Sequence, residues 1–325
     1  MKNHFKKLLL MALMAVMAVG LIACGTDKSD NESIKEEKTS VTITSFDASK
    51  NEIELEVPYN PKRIAILDLA CLDIIDELGV GDRVVGMAST SIDYLEKYSN
   101  DASIKNLGTI KEADLEAVME CEPDIIFIGG RLSKSYDALS EIAPVVYLAT
   151  DTNEGLVNSV SKNAKTIASI FGMEDKVDSL MSDFGARIDT IKKISSGKTA
   201  LVGMTTSGSF NLLGNDGRCS LIGVEAGFNN LTAAGSTSTH GNESSFETVV
   251  QQNPDYIFVM DRDSAISTAG AKTAKEIVEN GLVKTTDAYK NNHIIYLEHS
   301  NVWYTAEGGI QALDIMLTDL EKGLK

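Results

Sequence analysis

Histidine and cysteine are scarce, with four of each in 325 residues, and there is a single tryptophan. Four histidines exclude a His-rich metal carrier, and four cysteines exclude a scaffold built on disulfides. Basic residues are also few: 30 Lys+Arg against 47 Asp+Glu give a formal charge of -17. Residues 1–23 hold Lys2, Lys6 and Lys7 and no acid, so the remainder carries -20. A phosphate backbone repels such a chain, and nucleic acid is not an expected partner. No long apolar run follows residue 23, which excludes a polytopic membrane protein. Catalytic signatures are missing too. There is no Ser-centred elbow, no G-x-x-x-x-G-K phosphate loop and no H-E-x-x-H, so an enzyme is not expected. What remains is an ordinary globular balance of 43% hydrophobic and 24% charged residues. The length suits about two domains.

The N-terminus reads as an address. A positive start leads into an apolar run from Leu8 to Ala23, then Leu21-Ile22-Ala23-Cys24-Gly25. That is a signal peptide over 1–23, and Leu-Ile-Ala before a cysteine resembles a bacterial lipobox. Cys24 is then the acylated mature N-terminus, held on the outer face of the cell membrane by its lipid chains. Residues 24–44 are expected to be a flexible tether, because 25–40 (GTDKSDNESIKEEKTS) is too polar to fold. Cys71, Cys121 and Cys219 remain, an odd number, so at least one stays a thiol. Cys71 and Cys121 read as small buried hydrophobes.

Past residue 60, short β-branched runs alternate with amphipathic segments, which implies α/β units with mainly parallel sheets. Strands are expected at Ile64–Leu67, Val84–Met87, Ile125–Ile128 and Val145–Leu148, and again at Ala200–Met204, Tyr256–Met260 and Ile294–Leu297. An internal echo joins the two sets. LEAVMECEPDIIF (115–127) and FETVVQQNPDYIF (246–258) agree at six positions with a constant offset of 131. Glu116 matches Glu247, and Pro123-Asp124 matches Pro254-Asp255. The repeat points to two α/β lobes, 45–173 and 197–325. Between them, Val177, Leu180, Met181, Phe184, Ile188 and Ile191 keep helical spacing. They predict one long spine helix over 174–196, about 30 Å in length, that stiffens the pair of lobes.

The echo also pairs Arg131 with Arg262, each just past the end of its strand (IIFIGGR and YIFVMDR). In open α/β sheets the ligand crevice lies outside the carboxyl ends of the strands, so both arginines are expected in one cleft between the lobes. Arg218, in GNDGR, is a third candidate. The chain has six arginines in its globular part. Three at cleft loops of so acidic a protein suggest an anion site, because the planar guanidinium fork grips oxyanions bidentately. The competing reading pairs these arginines with Asp216, Asp261 or Asp263. His240 lies in a Gly/Ser/Thr-rich loop, where binding groups concentrate. Tyr304 is expected in a loop before a final helix beginning near Glu307. Imidazole and phenolate both ligate iron, and Trp303 is expected to offer an aromatic platform at the cleft.

The chain resembles the iron-siderophore substrate-binding proteins of ABC importers, the spine-helix (class III) form of the periplasmic binding protein fold. The resemblance runs from about residue 55 onwards. It rests on Asn60-Pro61-Lys62-Arg63, Glu122-Pro123-Asp124, Thr239-His240-Gly241, Asn253-Pro254-Asp255, Met260-Asp261-Arg262 and Val302-Trp303-Tyr304. It is nearest the branch that binds ferric catecholates of enterobactin and petrobactin type. The resemblance implies that Arg131, Arg218 and Arg262 hold the anionic iron complex. It implies that His240 and Tyr304 complete the Fe(III) sphere when the siderophore is tetradentate. Equal spacings of 22 residues separate Arg218, His240 and Arg262, as in that branch. It further implies that Glu116 and Glu247 dock onto basic residues of a permease with its ATPase. The implied protein is a monomer with no intrinsic cofactor, its iron arriving with the ligand. The chain departs from the branch at Asp216 and Cys219, beside Arg218, and in a longer segment after Arg262 (DSAISTAGAKTA). Alternatives left open are a haem, corrinoid or hydroxamate-siderophore binder on the same fold, a bilobal surface enzyme, or a surface adhesin.

Overall fold

The structure, a computed structural model, describes residues 38–234 and 237–325. The signal peptide, Cys24 and most of the expected tether lie outside the described residues. The tether's last residues do not remain a linker: Ser40–Phe46 form β1, which pairs antiparallel with β2 (Glu52–Pro58). Ile43 supplies the reason, since it is buried at 4% exposure and fastens the strand to the core.

The first lobe continues with β3 (Ile64–Ile66), α1 (Leu69–Glu77), β4 (Val84–Met87), α2 (Glu96–Ser99), β5 (Lys105–Asn106), the small hairpin β6 (Gly108–Thr109) and β7 (Glu112–Ala113), α3 (Leu115–Glu120), β8 (Ile125–Ile128), α4 (Tyr136–Ser140) and β9 (Val145–Tyr147). Its main sheet has the order β5-β4-β3-β8-β9, all parallel. Three helices follow: α5 (Leu156–Phe171), α6 (Glu174–Leu180) and α7 (Phe184–Ser195). The second lobe holds β10 (Thr199–Thr206), β11 (Ser209–Leu212), α8 (Ser220–Gly223), β12 (Asn229–Asn230), β13 (Asn242–Glu243), α9 (Phe246–Gln252), β14 (Tyr256–Asp261), α10 (Arg262–Ala265), α11 (Ala274–Val278), α12 (Asp287–Lys290), β15 (Ile294–Tyr296), α13 (Ser300–Thr305) and α14 (Ile310–Gly323). Its sheet runs β13-β11-β10-β14-β15, with β12 on β10. The β10–β12, β10–β14 and β14–β15 pairings are parallel, and β11 pairs antiparallel with both β10 and the edge strand β13.

The echo is a structural repeat. β8 and β14 both lie inside their sheets, flanked by the first and last parallel strands of their lobes. α3 and α9 both open on a side-chain cap, Asp114 to Ala117 N–H and Ser245 to Thr248 N–H. Both residues before the shared proline, Glu122 and Asn253, sit at positive φ, 44° and 41°. This is how the chain turns out of each helix where proline forbids another helical residue. The two aspartates then brace the neighbouring strand. Asp124 accepts the Lys62 and Arg63 N–H groups at 2.7 and 2.9 Å, and Asp255 accepts that of Thr199 at 2.8 Å.

The expected single helix over 174–196 is broken. Residues 181–183 separate α6 from α7. Here Ser182 turns its hydroxyl back onto the Ser179 carbonyl at 2.8 Å, and Ser, Asp and Gly in Ser182-Asp183-Phe184-Gly185 are poor helix formers. The unbroken helix that bridges the lobes is α5, about 24 Å long at 1.5 Å per residue. Glu225 of the second lobe accepts the Val157 N–H near its start at 3.1 Å, and the Ile170 carbonyl near its end accepts the Asn60 N–H at 2.8 Å. The last helix also departs from the boundary at 197. α14 leaves the second lobe and packs on α1, α5 and α7. Asp73, fully buried on α1, accepts the Gln311 and Ala312 N–H groups at 2.9 Å each. Arg187 on α7 reaches Asp314 and Glu321 from the other side. The link is therefore a packed bundle, and no helix stands alone.

Candidate functional site

The carboxyl ends of the two sheets meet at Tyr304. This residue belongs to α13, not to a loop as expected, and it is buried. Arg131 follows β8 in a 3-10 turn, and Arg262 opens α10 directly after β14. Arg218 comes from the segment between β11 and α8. The Cζ atoms of Arg131, Arg218 and Arg262 lie 5.7, 4.5 and 5.7 Å from the Tyr304 ring centroid. Arg131 Nη2 donates to the Tyr304 main-chain oxygen at 2.9 Å, and Arg262 Nε donates to the Tyr304 hydroxyl at 3.2 Å. Arg218 Nη1 donates to the Thr239 carbonyl at 2.7 Å. His240, next in the chain and exposed, places Nε2 3.4 Å from the Tyr304 hydroxyl. Five residues picked from sequence on both lobes thus share one cluster.

The aspartates expected to compete for these arginines mostly do other work. Asp216 accepts the Thr237 N–H at 2.7 Å. Asp261 caps α10 through Ser264 and also accepts the Ala274 N–H. Asp263 does pair with Arg262, at 3.2 Å, while also accepting the Ser207 N–H. Arg131 and Arg218 have no carboxylate partner within ion-pair distance among the described residues.

So much positive charge in one place perturbs the titrating groups. Burial lowers the Arg131 pKa, and Arg218 beside it lowers it further, partly offset by Asp68. Burial acts to raise the Tyr304 phenol, but the Arg262 hydrogen bond and the charges of Arg218, Arg262 and Lys111 outweigh it, and the net shift is downward. The His240 imidazole is held below its usual range by burial and then by Arg262, Arg218 and Lys111. Both shifts favour the forms that ligate a metal, phenolate and neutral imidazole.

Trp303 is a correction. It is fully buried, with Nε1 donating to Asp319 at 2.9 Å, and it does not line the cleft. In a six-residue helix, neighbours 303 and 304 point to different sides, and Tyr304 takes the side facing the arginines. Other site residues escaped the sequence reading. Lys111, on the turn of the β6–β7 hairpin, acts electrostatically on both His240 and Tyr304. Nothing in the sequence marks it. Asp68 lies just past β3, so the strand-end rule that found Arg131 was available for it as well. Glu307 is tied to Arg218 and Cys219 only by the fold.

A cavity of about 550 Å³ opens here, lined among others by Asp68, Arg131, Arg218, Tyr304 and Glu307. Arg262 and His240 lie outside this lining and meet it at Tyr304. Cys71 and Cys219 are buried free thiols, as is Cys121, and burial raises all three pKa values, which makes them inert.

Comparison with known proteins agrees with this architecture. Residues 64–300 match the periplasmic binding protein family. Petrobactin-binding protein YclQ of Bacillus subtilis is 36% identical over 98% of this chain and 99% of its own length. Its crystal structure has a TM-score of 0.81 over 88% of this chain and 99% of that one. The periplasmic catecholate-siderophore binding protein VctP of Vibrio cholerae is 30% identical, with a TM-score of 0.78 over 87% of this chain and all of that one. Siderophore-binding protein BauB, solved with a complex of two acinetobactin molecules and ferric iron, is 27% identical, with a TM-score of 0.75 over 88% and 99%. With its two parallel-sheeted lobes, bridging helix and interlobe cleft, the chain belongs to the periplasmic binding protein family.

Proposed function

We propose that this protein is the extracytoplasmic, lipid-anchored substrate-binding component of an ABC importer for iron. It captures an anionic ferric siderophore of the catecholate class between its lobes and delivers it to a permease. It works as a monomer and catalyses no reaction. The observation that carries this reading is the convergence of Arg131, Arg218 and Arg262 on Tyr304. A ferric tris-catecholate carries about three negative charges, and three cations in a partly desolvated cleft offset it through charge-assisted contacts. Hydroxamate complexes and corrinoids have no such need. VctP is named for a catecholate siderophore, YclQ for petrobactin and BauB for a siderophore, solved with ferric acinetobactin, and these names support an iron-siderophore ligand.

With a bis-catecholate, two positions of the octahedral iron stay open. His240 Nε2 and the Tyr304 hydroxyl, 3.4 Å apart, fill them. Docking falls to Glu116 on α3 and Glu247 on α9, both exposed and at equivalent places in the repeat.

The test is a titration followed by the ferric catecholate charge-transfer band, because buried Trp303 is a poor reporter. Saturable binding of ferric tris- and bis-catecholates, lost in an Arg131→Ala/Arg262→Ala double variant, is the expected result. Binding that survives the double substitution, or binding of haem, cobalamin and hydroxamates alone, overturns the anion-cleft reading. Glu116→Lys with Glu247→Lys should leave ligand affinity intact while abolishing uptake through the permease.

A further inference from the structure

The β1–β2 hairpin, which precedes the first lobe's main sheet, contributes to the cavity between the lobes. Residues 47–51 join its strands, and Lys50 in this turn is the one lysine lining the cavity among the described residues. The hairpin is firmly held. Ser45 Oγ donates to the Tyr147 carbonyl at 3.3 Å and accepts the Tyr147 N–H at 3.0 Å, and the Phe46 and Tyr147 rings lie 5.5 Å apart. Tyr147 ends β9, so this anchor lies at the carboxyl end of the first sheet, the end that carries Arg131. Within the turn, the Asp47 carboxylate accepts the Ser49 and Asn51 N–H groups at 2.8 Å each, and the Lys50 N–H closes on the Asp47 carbonyl at 3.0 Å.

Two features of Lys50 serve no contact in the fold. The first is its backbone. Its φ is 65°, in the left-handed region that hairpin turns give to glycine or asparagine. The second is its charge. The side chain is exposed and has no ion pair among the described residues. The acids nearest in the chain are engaged, Asp47 by the turn's own N–H groups and Glu52 by Lys162 at 3.9 Å. An unfavourable backbone conformation kept at a cavity, on a residue that nothing in the fold requires, points to the ligand. The cavity also has need of a cation. Arg131 and Arg218 share its lining with Asp68, Asp216 and Glu307, so an anion there meets less positive charge than the arginines alone supply.

We propose that Lys50 is a further specificity-determining residue, a cation that the hairpin presents to the bound ferric complex and that favours ligands of higher negative charge. The inference rests on the ferric-siderophore reading above and extends it to the ligand's charge. The attraction of one cation scales with the charge it faces. Lys50 therefore discriminates between a tris-catecholate of about three negative charges and a bis-catecholate of about one.

Ferric tris-catecholate and ferric bis-catecholate test this, titrated into the wild type, Lys50→Gln, Lys50→Arg and Lys50→Asn. Lys50→Gln removes the charge and keeps the length. It should weaken the tris-catecholate by about fivefold, the upper end for an exposed ion pair, and the bis-catecholate by less than about twofold. Raising the salt to about 0.5 M should shrink the difference from wild type. Lys50→Arg should bind as the wild type does. Lys50→Asn suits the left-handed backbone, so it should bind like Lys50→Gln yet melt at a higher temperature than the wild type. A lysine with a merely structural role would not give a variant that is more stable and binds more weakly. Unchanged tris-catecholate affinity in Lys50→Gln overturns the proposal. So does an equal loss for both complexes, which would make Lys50 a packing residue without charge selection. If neither complex binds the wild type, the ferric-siderophore reading itself falls and takes this role of Lys50 with it.

Discussion

Asp73 shows how one residue can hold two distant parts of a chain. It is buried, accepts the Tyr94 hydroxyl at 2.6 Å, and caps α14 more than 230 residues away. Asp73→Ala removes a cap and leaves buried donors unmet, which should cost about 2–3 kcal/mol. Thermal unfolding reads this directly. Gly309→Ala should fail at the same joint, because a Cβ there would lie 2.3 Å from Asp73 Cγ. Burial lifts Asp73 to about 7. A carboxyl with a raised folded pKa keeps its proton when the unfolded chain has lost it. The stability it contributes is whole below about pH 4 and disappears as pH rises through about 7. Melting temperatures measured from pH 5 to 8 should fall more steeply in the wild type than in Asp73→Asn. At the site, Arg131→Ala should weaken a trianionic ferric probe by about 10- to 100-fold, the range of a lost charged hydrogen bond. Isothermal titration checks it.

Among the elements, α5 bridges the lobes and the α6–α7 pair does not form the continuous rod its spacing suggested. The apolar positions from Val177 to Ile191 repeat with helical period on both sides of the break, so periodicity alone cannot see it. Ser179, Ser182 and Gly185 do carry a signal, but a local one that competes with a stronger pattern. Gly185 lies just inside α7 with nothing within 4 Å of an added Cβ. Gly185→Ala should therefore stabilise by about 0.5–1 kcal/mol, visible as a raised denaturant midpoint without loss of ligand binding. The strands were far more legible. β4 and β8 fall at the expected residues, and the other named strands differ by a residue or two at their ends. Buried parallel strands are short β-branched runs between turn residues, and nothing else in this chain looks like them.

For the molecule as a whole, the bundle of α5, α7 and α14 sets how the lobes can move. Two independent ties cross it, Asp73 to α14 and Glu225 to α5. A cleft held this way is largely formed before the ligand arrives. Small-angle scattering with and without a bound ferric probe should show little change in radius. A change of several ångströms would mean that the bundle yields. Substituting Arg187 with Ala, which frees α7 from Asp314 and Glu321, should widen the motion without touching the site.

Composition, alternation and the 131-residue echo determined the α/β class, the two lobes and the pairing of Arg131 with Arg262, because repeats and burial periods are written along the chain. The strand-end rule pointed to Arg131 and Arg262, which approach Tyr304 from the carboxyl ends of β8 and β14. The tertiary structure alone decided that Tyr304 is the hub while neighbouring Trp303 belongs to the core, since direction around a short helix depends on what packs against it. It alone brought Asp68 and Glu307 to the cavity and Lys111 within electrostatic reach of His240 and Tyr304, each from an element whose neighbours in space are remote in sequence. Whether a loop arginine is paired or free is likewise a matter of distances across the fold. Asp263 beside Arg262 and Asp216 two residues before Arg218 look alike as sequence, yet the first pairs with its arginine and the second turns to Thr237.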